Sequence, residues 1–156
     1  MDVHFTWIGP PKAGQDTDAA IVMSQVLGAG YDVHFWCLDA HVGTYTAALG
    51  DHDITVHGIE SFLAQAQTLT YRWWNWYGND EQWAIEQMLQ VLEAAKNAPS
   101  TPPKRRLREI VNAKNAFAYL LTYTWGGFVM DTNVGPDPGR PLVLGNPTEF
   151  MAPFLE

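Results

Sequence analysis

Asp131 and Asn133 stand one residue apart, each with a side-chain oxygen, just after the apolar run Phe128-Val129-Met130 and the corner Trp125-Gly126-Gly127. Paired oxygens of this kind suit a hard cation such as Mg2+ or Mn2+, which takes oxygen ligands and bridges them to substrate phosphates. Asn133 brings a carbonyl but no negative charge, so it is the weaker ligand of the two. The triplet Asp131-Thr132-Asn133 also reads as a strand-ending turn, because Asp and Asn hydrogen-bond their own backbone at such places. A second source of charge is the run Lys104-Arg105-Arg106-Leu107-Arg108. It reads as a solvated helix face, or as a face from which one arginine reaches a diphosphate.

Other chemistry is thinner. The five histidines (His4, His34, His41, His52, His57) show no HExxH or paired-ligand spacing. They read as structural or exposed groups rather than zinc ligands. Gly9-Pro10-Pro11-Lys12-Ala13-Gly14 lacks the Gly-Lys-Ser/Thr ending of a phosphate-binding loop, which rejects a P-loop triphosphatase. The single cysteine, Cys37, excludes an internal disulfide and lies in an apolar run, where a buried, inert thiol is expected. Tyr71-Arg72-Trp73-Trp74-Asn75-Trp76-Tyr77 is dense in aromatic residues and serves either as a sugar or partner platform or as core packing at a corner.

The elements that must position these groups alternate. Residues 3–8 read as a first strand, 19–27 as a helix, 31–38 as a second strand, 44–49 as a short helix and 54–59 as a third strand. Residues 61–70 read as helical. A longer helix follows Asn79 or Asp80, with Trp83, Ile85, Met88, Leu89 and Leu92 recurring at helical period. The Pro-rich segment 98–103 is a rigid connector into a helix over 104–124, and the Gly-Gly corner leads to the strand 128–130, which reads as fully buried. Strands alternating with helices predict an α/β fold: a Rossmann-like, mostly parallel sheet flanked by helices, in one domain over 1–156. Ligands of open α/β sheets bind beyond the strands' C-terminal ends, which is where Asp131 falls.

Composition narrows the function classes. A hydrophobic fraction of 47% in 156 residues is enough for one sizeable core. A formal net charge of −8 argues against a nucleic-acid or anionic-membrane binder, and makes any polyanion depend on local countercharge. No apolar run approaches the roughly 18 residues of a membrane span. The start, Met1-Asp2-Val3-His4, shows no signal-peptide pattern, so a cytoplasmic location is expected, with delivery as an effector left open.

Two stretches resemble a known family. Residues 113–134 (AKNAFAYLLTYTWGGFVMDTNV) are similar to the signature of GT-A fold glycosyltransferases with the DXD sugar-binding motif, such as the glucosyltransferase domains of large clostridial toxins and the bacterial and yeast mannosyl- and capsule-type transferases. His4-Phe5-Thr6-Trp7-Ile8-Gly9 resembles that family's opening strand. The resemblance implies a GT-A-type donor-binding half that moves a hexose from a nucleotide-diphosphate sugar, for example a UDP-linked one, to an unknown acceptor, with Mn2+ or Mg2+ as cofactor. It implies Asp131 as the catalytic acid of the motif, Asp131 and Asn133 as metal ligands, and Trp7, Ile8, Lys114, Asn115 and Asp131 as donor-binding residues.

Trp7 matches an aromatic beside the nucleotide base, where stacking is worth about 1–3 kcal/mol; a ring buried in the sheet core is the other reading. The family's Ser-Asp pair falls on Lys114-Asn115 and its Arg on Ala118, so residues 115, 118 and 122 put Asn, Ala and Thr on one helical face. Lys114 could replace part of the lost positive charge. These departures open an alternative: a catalytically degenerate domain that binds a nucleotide or sugar, or acts through protein contacts. Only residues 135–156 follow the motif, where the family has an acceptor half. Either a partner chain, including a second copy of this one, supplies the rest, or the chain is a donor-binding half without an acceptor site.

Overall fold

A computed structural model of the chain describes residues 1–12, 14–27, 30–73, 80–98 and 103–132, with backbone alone for 67–73 and 80–82. Asn133 and all side chains of the aromatic segment 71–77 lie outside what is described.

Four strands form one parallel sheet in the order β3-β2-β1-β4. They are β1 (Asp2–Trp7), β2 (Asp32–Cys37), β3 (Ile54–Gly58) and β4 (Phe128–Met130). Five α-helices connect or cover them: α1 (Asp18–Leu27), α2 (Val42–Leu49), α3 (Ile59–Trp73), α4 (Asp80–Asn97) and α5 (Pro103–Thr124). The chain moves outward from β1 to β2 to β3, then returns through α4 and α5 to set β4 on the free side of β1. The strand order therefore reverses at β1, and the ends of β1 and β4 flank a topological switch point.

Side chains alternate across the sheet because strand residues point to opposite faces in turn. Val3, Phe5, Val33, Phe35, Cys37 and Ile54 face one way and bury Ala20 and Met23 of α1 and Tyr45 and Leu49 of α2. Trp36 and Val129 face the other way, onto Ile59 and Leu63 of α3, Ile85, Met88 and Leu92 of α4, and Phe117 and Leu121 of α5. The result is a three-layer αβα sandwich with a core on each face. Cys37 is fully buried, as its apolar setting predicts, and burial pushes its thiol up to about 12.

In place of a row of aliphatic residues, the face toward α3 and α5 carries His4, Thr6, His34, Trp36 and His57. Register explains the meeting: His4 pairs with His34 across β1 and β2, and Trp36 pairs with His57 across β2 and β3. Two features depart from the sequence-based expectation. β4 is half-buried along its length, not fully buried, because it lies at the sheet's edge among the described residues. Trp83, expected on the apolar stripe of α4, is 63% exposed, since the stripe it extends runs beyond the layer that covers Ile85 and Met88. Asp16 ties down the loop before α1: its carboxylate accepts from the Lys12 backbone N–H and the Tyr45 hydroxyl.

The Gly-Gly corner does what its composition predicts. The N–H groups of Trp125 and Gly126 both donate to the Leu121 carbonyl, ending α5. Gly126 and Gly127 then take φ of 84° and 81°, which costs L-residues energy but not glycine. At Gly127 a Cβ would also lie 2.4 Å from the Asp2 carbonyl oxygen, so β4 can start beside β1 only with glycine there. Gly126 has open space around its Cβ direction. Gly126→Ala is therefore expected to destabilise by the backbone term alone, about 1–2 kcal/mol, as a lowered urea midpoint. An unchanged midpoint would show that the corner relaxes without cost.

Candidate functional site at the strand ends

The two stretches singled out in the sequence come together. β1 and β4 are hydrogen-bonded neighbours with Phe5 beside Met130, so the segment Trp7-Ile8-Gly9 and Asp131 leave adjacent strands at the same edge of the sheet. A crevice of about 290 Å³ opens there, walled by Ile8, Gly9 and Pro10 after β1, Leu38 after β2, and Arg106 and Ile110 of α5. His41 and Lys96 complete its rim.

The charges around it are of two kinds. The Lys96 ammonium is held by Glu93 at 2.9 Å and Glu60 at 3.4 Å. Arg106 has no ion-pair partner among the described residues, and a guanidinium cannot shed its proton. It is therefore the available cation in the crevice wall. The wall itself is pinned where β2 ends: Asp39 accepts from the Ser61 backbone N–H and hydroxyl at the start of α3, and its own N–H donates to Glu60 at 2.7 Å.

At the end of β4, Asp131 Oδ1 accepts from the Lys114 ammonium at 2.6 Å. The buried Thr132 hydroxyl lies 3.4 Å from the same oxygen. Lys114 is the more enclosed partner, at 19% side-chain exposure against 49% for Asp131. Asn115, which the resemblance places on the donor, is exposed and faces outward; Lys114, its neighbour, turns toward the motif instead. Ile8 is buried at 3% exposure yet still borders the crevice. Trp7 alternates to the opposite face, half-buried against the α1–α2 core. Its indole N–H donates to the Pro10 carbonyl at 3.1 Å, and the Lys12 ammonium sits 5.2 Å from the ring centroid. It supports the turn that forms the crevice lip rather than lining the crevice.

The fit of a divalent cation can be judged on one expected ligand, because Asn133 is not described. Asp131 already carries an ammonium on Oδ1, and a metal bound to that oxygen would face it at close range. Among the described residues no three His, Cys, Asp or Glu side chains converge on a metal-sized site. Asp131 is thus the one described oxygen ligand of the expected pair.

Behind the crevice lies the histidine layer. The Trp36 indole N–H donates to His4 Nδ1 at 3.1 Å, and His4 Nε2 lies 3.1 Å from the Gly126 carbonyl. Indole only donates and a carbonyl only accepts, so His4 is assigned as the neutral tautomer with its proton on Nε2. His34 bridges Asp2 Oδ1 and His57 Nε2, each at 3.0 Å. Burial lowers His4 to about 4, helped by the neighbouring His34, and burial with His34 lowers His57 to about 4. Trp125 closes the layer with its ring against His4, His34, Trp36 and His57. This layer holds the Gly-Gly corner to β1 through the His4–Gly126 contact.

Sequence reasoning left Arg106 as one of four interchangeable cations. Its signal was the spacing of Arg106 and Ile110, four residues apart, which puts both on the stripe of α5 that walls the crevice, with Lys114 farther along the helix at Asp131. A second concavity, of about 460 Å³, lies between α4 and α5 and is lined by apolar residues including Trp83, Met88, Val91, Tyr119 and Tyr123.

No family model matches the chain, and no curated protein matches it. Among solved structures it is similar to one described as PaToxG glycosyltransferase, with a TM-score of 0.55 and 12% identity over 85% of this chain. The chain spans 41% of that protein's length. At this identity the likeness concerns the fold, and what this chain shares with that glycosyltransferase is an α/β architecture of the Rossmann-like GT-A type, with four parallel strands between helices.

Proposed function

We propose that the domain binds a nucleotide-diphosphate sugar, UDP-linked in the first instance, along the C-terminal edge of the sheet and serves hexose transfer to an acceptor. The observation that carries this reading is the pairing of β1 with β4, which brings the crevice-forming end of β1 and Asp131 to the same edge of the sheet, although Asp131 does not itself line the crevice. Switch-point crevices are where open α/β sheets bind nucleotides. The base and ribose fit the lip formed by Ile8, Gly9 and Pro10; Arg106 meets the diphosphate; and Asp131 accepts from sugar hydroxyls. In transfer, the bond from sugar C1 to the β-phosphate oxygen breaks and its electron pair leaves on the nucleoside diphosphate. Fixed positive charge beside that oxygen lowers the barrier.

Mn2+ or Mg2+ at Asp131 and Asn133 is one supply of that charge, and the cations of α5 are another. A second copy of the chain, or another partner, is proposed to contribute the acceptor side.

Calorimetric titration with UDP tests the reading. Wild type is expected to bind, and Arg106→Ala to bind at least 10-fold more weakly, since a charge-assisted hydrogen bond is worth about 1.5–3 kcal/mol. Asp131→Ala is expected to abolish UDP-hexose hydrolysis and transfer. No binding of UDP under any condition would leave the alternative, a degenerate domain acting through protein contacts, which the exposed aromatic groove between α4 and α5 favours.

A further inference from the structure

We propose that the histidine layer beneath Trp125 is a proton-sensitive latch for β4: acid lifts the segment from Trp125 to Met130 off β1 while β1, β2 and β3 stay paired, and so carries Asp131 away from the sheet edge. This holds whether or not a donor binds there.

In its neutral form the layer has every bond in use around His4. Nδ1 accepts from the Trp36 indole N–H, and Nε2 donates to the Gly126 carbonyl. A further proton on Nδ1 would set two N–H groups against each other across 3.1 Å. His34 has Asp2 Oδ1 on one nitrogen and His57 Nε2 on the other, so it is the ring with a counterion. A charge on it faces His4, stacked with ring centroids 5.0 Å apart, and His57 at 5.1 Å. Among the described residues the charged or titratable groups facing His4 are Asp2 of β1, His34 of β2 and His57 of β3. The corner, α3 and α5 bring the aromatic rings of Trp125, Phe62 and Phe117. One carboxylate thus serves three imidazoles, and a second proton has no counterion in place.

Relief lies outward, through the corner. Of the two indoles that flank His4, Trp36 is 1% exposed and Trp125 is 41% exposed, so water reaches the ring past Trp125. The same segment is the least-paired part of the described sheet. β4 pairs with β1 over three residues, whereas β1 and β2 pair over six and β2 and β3 over five. Gly126 and Gly127 supply the backbone freedom for the movement. His57 stays behind, stacked on Trp36 at 4.3 Å. Once the corner lifts, His4 is hydrated and titrates near 6.5 in place of about 4. The open form then binds more protons than the closed one below pH 6.5, so opening is favoured as the pH falls toward 4. For this one ring the open population rises about 20-fold between pH 7 and pH 5.

The test is native-state amide hydrogen exchange at pH 7 and pH 5, in rising low concentrations of urea and corrected for the intrinsic pH dependence of exchange. In wild type, protection over 125–130 is expected to fall about 20-fold at pH 5 and to be insensitive to urea, the mark of local opening. Protection over 33–37 should stay higher at both pH values and fall with urea, the mark of global unfolding. His4→Gln, whose amide can still accept and donate but does not titrate, should remove the fall over 125–130; His57→Gln should keep it. Loss of protection over 125–130 that tracks urea as the core does would overturn the latch, leaving a layer that acts only on global stability. Unchanged wild-type protection between the two pH values would overturn it too, as would a fall that persists in His4→Gln or vanishes in His57→Gln. The wild-type comparison decides by itself if His4→Gln fails to fold.

Discussion

Replacing Trp36 by alanine is expected to remove about 3–5 kcal/mol of stability, the usual range for deleting a large buried aromatic residue. Trp36 is 1% exposed and joins both sides of its layer. Its ring stacks on His57 with centroids 4.3 Å apart and meets Phe62, Phe117 and Trp125 edge-on at 5.0, 5.5 and 5.3 Å. Its indole N–H also donates to His4 Nδ1, so the alanine variant strands a buried acceptor besides opening a cavity. Domains of this size hold about 5–15 kcal/mol in total, so the variant should lose between a fifth and nearly all of that margin. Trp36→Phe keeps most of the ring but loses the N–H, and should lie between alanine and wild type. Urea denaturation measures both; a loss below about 1 kcal/mol in Trp36→Ala would mean that the layer is not packed around this ring.

Acid should act on the same layer. Folding holds His4 and His57 near 4 against 6.5 for a free imidazole, mainly because their rings are buried. A lowered histidine means that the native state binds fewer protons than the unfolded chain. The stability from each ring is therefore complete above pH 6.5 and is lost as the pH falls from there toward 4. For His4, which has no exposed surface, the loss by pH 5 is about 2 kcal/mol, taking about 1.4 kcal/mol per unit. His57 is partly exposed and adds less. Urea unfolding at pH 7 and pH 5 separates this from the carboxylates, which titrate lower. Equal stability at the two pH values would show that the rings are hydrated in the native state.

Local pattern carried most of the fold into view. The alternation of β1 and β2, the helical period of α5 and the Gly-Gly corner are nearest-neighbour properties, and each element stands within a few residues of where its pattern puts it. What stayed hidden depends on pairing between distant segments. His4, His34 and His57 look like scattered residues until the register sets them in one layer. Lys114 and Asp131 lie on separate elements, and only the geometry of the corner makes them partners. Trp83 shows the opposite failure: its helical spacing is apolar, but spacing alone does not say whether anything covers the stripe. The crevice was anticipated at the strand ends by the switch-point rule, yet which of the four basic residues of 104–108 would enter it depended on the rotation of α5. Asn133 lies outside the described residues, so the second member of the motif keeps the standing that the sequence gives it.

The place of β4 has a consequence for how such a chain is made. Among the four described strands β1 leaves the ribosome first, and its partner on one side, β2, follows soon after. Its other edge waits for Phe128–Met130, so Val3 and Phe128 close the sheet from opposite ends of the described chain. Throughout translation the nascent domain carries an open apolar strand edge, the kind of surface that templates pairing with other chains. Long-range parallel pairing is also slow, because loop closure precedes any gain from the contact. The Gly-Gly corner, which brings the last strand in beside Asp2, is thus the latch of co-translational folding as well as the hinge of the motif.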